Sequence, residues 1–117
     1  MSGFNKGFTI FIPDSQLKNA SDSRMVGQML YNELKKKFSP QLSSKGELPL
    51  LEDQNLIALG AYNTLAKPSV LIEYAYIYEK MLQNESERNK TLELMAEQTV
   101  SGIKKYAESV KTNDTKN

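Results

Sequence analysis

The chain contains no histidine and no cysteine among its 117 residues. Without cysteine there are no disulfides and no thiolate chemistry, and the compartment is left open. Without histidine, Ser/His/Asp and Cys/His nucleophilic arrangements are excluded. A catalytic zinc site nearly always uses imidazole or thiolate, so this chain by itself is expected to hold none. Carboxylates alone could bind Ca²⁺ or Mg²⁺, but no Asp-rich loop is present. The six glycines are scattered and build no phosphate loop. An excess of charge is lacking too. Lys+Arg is 15 and Asp+Glu is 14, a net charge of +1. That balance gives no reason to expect nucleic acid or an anionic membrane as a partner. No apolar run approaches the roughly 18 residues of a membrane-spanning helix. The opening MSGFNKGFTIFIP has no basic region, apolar stretch and small-residue cleavage site in sequence, so no signal peptide is expected.

What remains is an ordinary globular composition, 39% hydrophobic and 25% charged. The length suits one compact domain. The expected organisation is one structured unit over 1–110 and a polar tail, KTNDTKN, over 111–117. Residues 7–12, GFTIFI, alternate and read as a strand. Phe8, Ile10 and Ile12 take one face, Thr9 and Phe11 the other, and Pro13 ends the run. A helix is predicted over 23–38, with Val26, Met29, Leu30, Leu34 and Phe38 as its apolar stripe and Ser21 or Asp22 as N-cap. Lys35, Lys36 and Lys37 fall in its last turn, where cations suit the helix dipole. They read as a solvated end in preference to an anion-binding patch.

Residues 39–54, with two prolines, a glycine and several serines, read as a long loop, either functional or mobile. A short strand is expected over 55–60. Lys67-Pro68 enforces an extended approach to a second strand, and Val70 to Ile72 read as buried on both faces, as in a central parallel strand. The final helix is marked by the Asn84-x-x-Glu87 capping-box form. Its apolar positions are Leu92, Met95, Ala96, Thr99, Ile103, Tyr106, Ala107 and Val110. Gly102 inside it predicts close packing. The order predicts an α/β class: a partial, mostly parallel sheet with at least two flanking helices. So thin a sheet leaves a face or an edge uncovered, as in part of a larger sheet.

Glu73 is the candidate for chemistry. It follows the apolar run at the carboxyl end of its strand, where ligands of open α/β sheets sit. Burial beside Leu71 and Ala75 would raise its pKa, as suits a general acid or base. The plainer alternative is a structural glutamate paired with a lysine or capping a helix. Glu79 and Glu52 are weaker candidates that read as exposed charges. Tyr74, Tyr76 and Tyr78 recur at period two; such a row binds sugar or, more commonly, packs into a core or an interface.

The segment Lys67-Pro68-Ser69-Val70-Leu71-Ile72-Glu73-Tyr74-Ala75-Tyr76-Ile77 resembles the terminal motif of the zinc-dependent N-acetylmuramoyl-L-alanine amidases of the type 3 family, Pro-Ala-Val-Leu-Val-Glu, then usually an apolar residue, Gly, Phe and a short tail ending in Asn. The order of the other segments agrees. The stretch 7–12 is similar to the family strand after its second zinc histidine, and 23–38 to its next helix. Residues 84–106, ending Gly102-Ile103-Lys104-Lys105-Tyr106, are similar to its final helix. Ala75 stands where glycine is usual and Glu79 near where asparagine is usual.

The resemblance implies the C-terminal part of a larger three-layer αβα fold. It implies hydrolysis of the amide between N-acetylmuramic acid and L-alanine in peptidoglycan, with Glu73 as catalytic carboxylate. It also implies a Zn²⁺ whose ligands lie upstream of the matched region, so that this chain alone is expected to be inactive. The implied partner is peptidoglycan or a muropeptide, at the cell envelope or outside the cell. Self-association, or pairing with a missing N-terminal half, is expected from the thin sheet. From a different class, the alternative is a non-catalytic module that binds a glycan or a protein.

Overall fold

A computed structural model describes residues 5–53 and 68–115. In chain order the elements are β1 (Thr9–Pro13), α1 (Ala20–Lys35), β2 (Leu42–Ser43), β3 (Gly46–Glu47), β4 (Leu51–Asp53) and β5 (Leu71–Glu73). A 3₁₀ turn at Lys80–Leu82 leads into α2 (Glu85–Thr115). The strand expected over 55–60 lies outside the described residues.

The alternation in β1 works as expected. Phe8, Ile10 and Ile12 are buried and meet Val26, Leu30 and Leu34 of α1, with Leu50 closing the cluster. Each such side chain contributes roughly 1.5–3 kcal/mol on leaving water. The Phe8 and Tyr31 rings meet edge-on at 5.3 Å, and the Tyr31 hydroxyl donates to the Leu48 carbonyl at 2.9 Å, fastening the following loop to α1.

The sheet is where expectation and structure part. Its order is β4-β1-β5, with β4 parallel and β5 antiparallel to β1. It is therefore a small mixed sheet, not a mostly parallel one. β5 is a sheet edge among the described residues, not a strand buried on both faces: Leu71 and Glu73 are exposed and Ile72 is half-buried. The buried central strand is β1. An apolar run does not by itself distinguish a central strand from an edge strand whose inner face alone packs. Ile72 faces Ile10 on the core side. Leu71 lies opposite Phe11, and Glu73 opposite Thr9, on the other face.

The 39–54 segment is not one loop. It holds the β2–β3 hairpin, with Leu42 opposite Glu47 and Ser43 opposite Gly46, and then β4. Helix α1 begins three residues before the expected start, with Asn19 rather than Ser21 or Asp22 at the N-cap position. Consecutive turns carry the chain into it, Leu17 N–H donating to the Asp14 carbonyl and Ala20 N–H to that of Leu17. Ser23, fully buried, then donates to the Asn19 carbonyl and accepts the Ser69 N–H at 2.8 Å, tying the approach of β5 to the start of α1.

Asn84 Oδ1 accepts the Glu87 N–H at 3.1 Å, the expected cap of α2. The helix continues through Thr115, into the polar residues expected to form the tail. Its inward face is narrower than its apolar pattern suggested. Met95 is buried and Thr99, Tyr106 and Val110 are partly buried, whereas Leu92, Ala96, Ile103 and Ala107 are exposed. Gly102 is the close approach: a Cβ there would lie 2.9 Å from Leu30 Cδ2 and 3.1 Å from Leu30 Cα. Only a residue without a side chain lets the two helices touch this closely.

Candidate functional site

Antiparallel pairing of β1 with β5 sets the site. It brings the carboxyl end of β5 to the amino end of β1, so Glu73 lies directly opposite Thr9. Side chains paired this way share a face and stand about 4.5–5.5 Å apart at Cβ. The Thr9 hydroxyl donates to Gln41 Oε1 at 2.8 Å, and the Tyr76 hydroxyl donates to the same oxygen at 3.1 Å. One sheet end thus gathers Glu73, Thr9, Gln41 and Tyr76 from three stretches of chain.

Gln41 is placed by the backbone. Its N–H donates to the Phe8 carbonyl at 2.9 Å, and its carbonyl accepts the Leu48 N–H at 2.8 Å. Gly7 makes that approach possible. Its φ is 93°, and a Cβ there would fall 2.6 Å from the Ser39 carbonyl oxygen and 2.8 Å from the Gln41 nitrogen.

Glu79 brackets the same corner. Its carboxylate accepts the Gly7 N–H at 3.2 Å through one oxygen and the Tyr76 N–H at 2.6 Å through the other. The weak catalytic candidate is thus a structural clamp on the chain leaving β5. Glu52, as expected, is an exposed charge, paired with Arg24 at 2.7 Å.

Beside this corner lies a groove of about 720 Å³, whose lining includes Lys6, Lys37, Phe38, Gln41, Tyr74 and Met81. Glu73 does not line it; it stands next to it, one residue from Tyr74. Glu73 is exposed, so the apolar burial expected around its carboxylate is absent. The leaning of Leu71 outward and the edge position of β5 explain this.

The tyrosine row is broken up, because β5 ends at Glu73 and period two ends with it. Tyr74 turns inward, its hydroxyl 2.7 Å from that of Thr99 on α2. Tyr76 and Tyr78 stack, with centroids 5.4 Å apart, and the Tyr78 hydroxyl donates to the Asn5 carbonyl.

A second charged cluster escaped the sequence reading. Glu33 of α1 is buried, and its carboxylate meets Lys36 at 2.7 Å, Ser101 at 2.6 Å and Lys105 at 3.0 Å. The Lys36 contact, then the Ser101 and Lys105 hydrogen bonds, lower its pKa from 4.5 to about 2. Gln98 adds a bond to the Glu33 carbonyl at 2.7 Å. This cluster joins the two helices. Its residues are spaced for two different helices, so no local motif announces it. The Lys35–Lys37 run divides likewise: Lys35 pairs with Glu47, Lys36 with Glu33, and Lys37 borders the groove.

Among the described residues no three His, Cys, Asp or Glu side chains converge as a metal would require. With no histidine in the sequence, the residues present do not fit a zinc ion.

The fold has a counterpart among solved structures. The chain is similar to the N-acetylmuramyl-L-alanine amidase from Mycobacterium smegmatis, with a TM-score of 0.64 and 18% sequence identity over 93% of this chain. It has an amidase-like fold. The matched region spans 50% of that structure, so the chain covers about half the length of the protein it resembles. No protein-family model and no curated protein matches the sequence.

Proposed function

We propose that this chain is the Glu73-bearing part of a peptidoglycan amidase, acting on the amide between N-acetylmuramic acid and L-alanine. The observation that carries the reading is the amidase-like fold along nearly the whole chain. The placing of Glu73 adds support. It stands at a sheet end, exposed to solvent and beside a groove, where a carboxylate can reach a substrate amide.

In this reading Glu73 takes a proton from water as the water oxygen bonds to the amide carbon. It returns that proton to the nitrogen as the C–N bond breaks. The products are a carboxylic acid on the muramic side and a free amine on L-alanine. The zinc that the resemblance implies finds no ligands here, so the chemistry assigned to this chain is the proton transfer alone. Metal ligation falls to polypeptide outside this sequence, and the chain by itself is inactive.

The open sheet face is the docking surface for that polypeptide. Phe11 and Leu51 are partly exposed there and Leu71 is exposed, and neither described helix covers them. Such a protein works at the cell envelope or outside the cell; no described helix is long and apolar enough to cross a membrane.

The test is to incubate the purified chain with peptidoglycan sacculi and with soluble muropeptides, with and without zinc. The expected result is retention on sacculi without release of amine. Failure to bind either material overturns the peptidoglycan reading, and amide cleavage at an enzymatic rate overturns the claim of inactivity. The second reading, a module that binds glycan or protein without catalysis, is favoured by one observation, the edge strand β5 with Leu71 exposed on its surface. It gains if the chain binds sacculi yet Glu73→Gln leaves amidase activity unchanged when a metal-binding half is supplied.

A further inference from the structure

We propose that the groove between the start of β1 and the 39–42 segment binds the carboxylate of a short peptide, with the Gln41 amide as its donor and Lys6 and Lys37 as its counter-charges. The volume, about 720 Å³, is that of a small-ligand pocket. Three features select the ligand.

The first is the Gln41 carboxamide. Its oxygen is occupied by two hydroxyls, from Thr9 at 2.8 Å and Tyr76 at 3.1 Å. The NH₂ group is left with two donors, and no acceptor for them exists among the described residues. An amide held this way costs little ordering entropy when it donates to a ligand oxygen.

The second is the charge pattern. Four charged residues border the groove, two of each sign. The two acidic ones are engaged, Glu79 by the N–H groups of Gly7 and Tyr76, and Glu47 by Lys35 at 2.6 Å. The two basic ones, Lys6 and Lys37, make no ion pair among the described residues. The N–H groups leave the Glu79 charge in place, so with Glu47 paired to Lys35 the lining sets Lys6 and Lys37 against Glu79, a net positive charge that complements an anion. The third is the apolar wall of Phe38, Pro40, Leu42 and Met81. It suits the side chains of a peptide better than a bare inorganic anion.

The proposal deepens the amidase-like reading by naming the part of the substrate that is gripped, and it rests on that reading only for the peptide's source. Peptide carboxylates occur on peptidoglycan stems and on free peptides alike. Binding is measured by calorimetry on the whole chain with three probes: a stem tetrapeptide, the same peptide with its carboxylates amidated, and the disaccharide-linked tetrapeptide.

The tetrapeptide is expected to bind and the amidated form to bind about tenfold more weakly, the worth of one charge-assisted hydrogen bond. Gln41→Glu keeps an acceptor for Thr9 and Tyr76 but removes the donors and adds a negative charge. It should weaken the tetrapeptide about tenfold or more, with unfolding unchanged. Lys37→Gln should weaken it less and flatten the salt dependence. Equal binding of the amidated peptide, or an unaffected Gln41→Glu variant, overturns the proposal. If the disaccharide-linked peptide binds regardless of Gln41, the groove assignment fails while the peptidoglycan reading stands. If the free tetrapeptide binds through Gln41 but sacculi do not bind, the groove stands and that reading falls.

Discussion

The two helices and the sheet end hold their polar groups in opposite ways. Between α1 and α2, Glu33 is closed in by Lys36, Ser101 and Lys105, and the neighbouring contact of Leu30 with Gly102 leaves no room for a side chain. At the sheet end, Glu73 is exposed, and the Gln41 amide keeps donors without acceptors among the described residues. The first region uses its polar groups to fix one packing. The second leaves groups available. A carboxylate's place on the scale from structure to chemistry is thus set by what surrounds it, and Glu33, whose pKa its partners lower, serves structure.

The contrast can be broken first in the core. Leu30→Ala removes a side chain that is 1% exposed and leaves a cavity between β1, α1 and α2. The expected loss is about 2–5 kcal/mol in denaturant unfolding. Gly102→Val follows, at about 1–3 kcal/mol, because the added atoms meet the Leu30 backbone and not only its flexible tip. A loss from either variant confined to groove binding, with unfolding unchanged, would place the dry interface elsewhere.

Acid sharpens the comparison. The Glu33 pKa is lowered on folding, from 4.5 to about 2, so the unfolded chain binds the proton more readily. The stabilisation is complete above about pH 4.5 and is lost as pH falls toward 2. Unfolding midpoints of the native chain and Glu33→Gln, compared across that range, should converge as the solution becomes more acidic. A difference that stays constant from pH 6 to pH 2 would contradict the proposed role.

The smallest stability effect is expected at Glu73. Glu73→Gln should change unfolding by no more than about 0.5 kcal/mol, as for an exposed position. In an assembled amidase the same change should reduce turnover by about 10²–10⁴. A large loss of stability would make Glu73 structural after all.

How much of this was legible beforehand depends on how local each feature is. The face alternation of Phe8, Ile10 and Ile12, the Asn84 cap and the tight packing at Gly102 follow from neighbours a few residues apart, and the structure has all three. The apolar run before Glu73 was local too, yet it misled. It marked a strand but could not say whether both faces would be covered. Gln41 carried no signal beyond its place in a segment singled out as either functional or mobile. Its role depends on Thr9 and Tyr76, 32 and 35 residues away. Glu33 was invisible for the same reason, since Ser101 and Lys105 reach it from 68 and 72 residues along the chain.

The sequence by itself determined the α/β class, the start of the last helix, the absence of histidine and cysteine, and the order of segments that resembles an amidase. These rest on composition, periodicity and short-range sterics, which act wherever the chain happens to be. Only the tertiary structure decided that β5 runs antiparallel at the sheet edge, that Glu73 is exposed beside a groove, that Glu79 clamps backbone, and that Glu33 is buried. Those are properties of which surfaces meet, and strand direction, burial and ion pairing are all fixed by contacts that the chain makes only when folded.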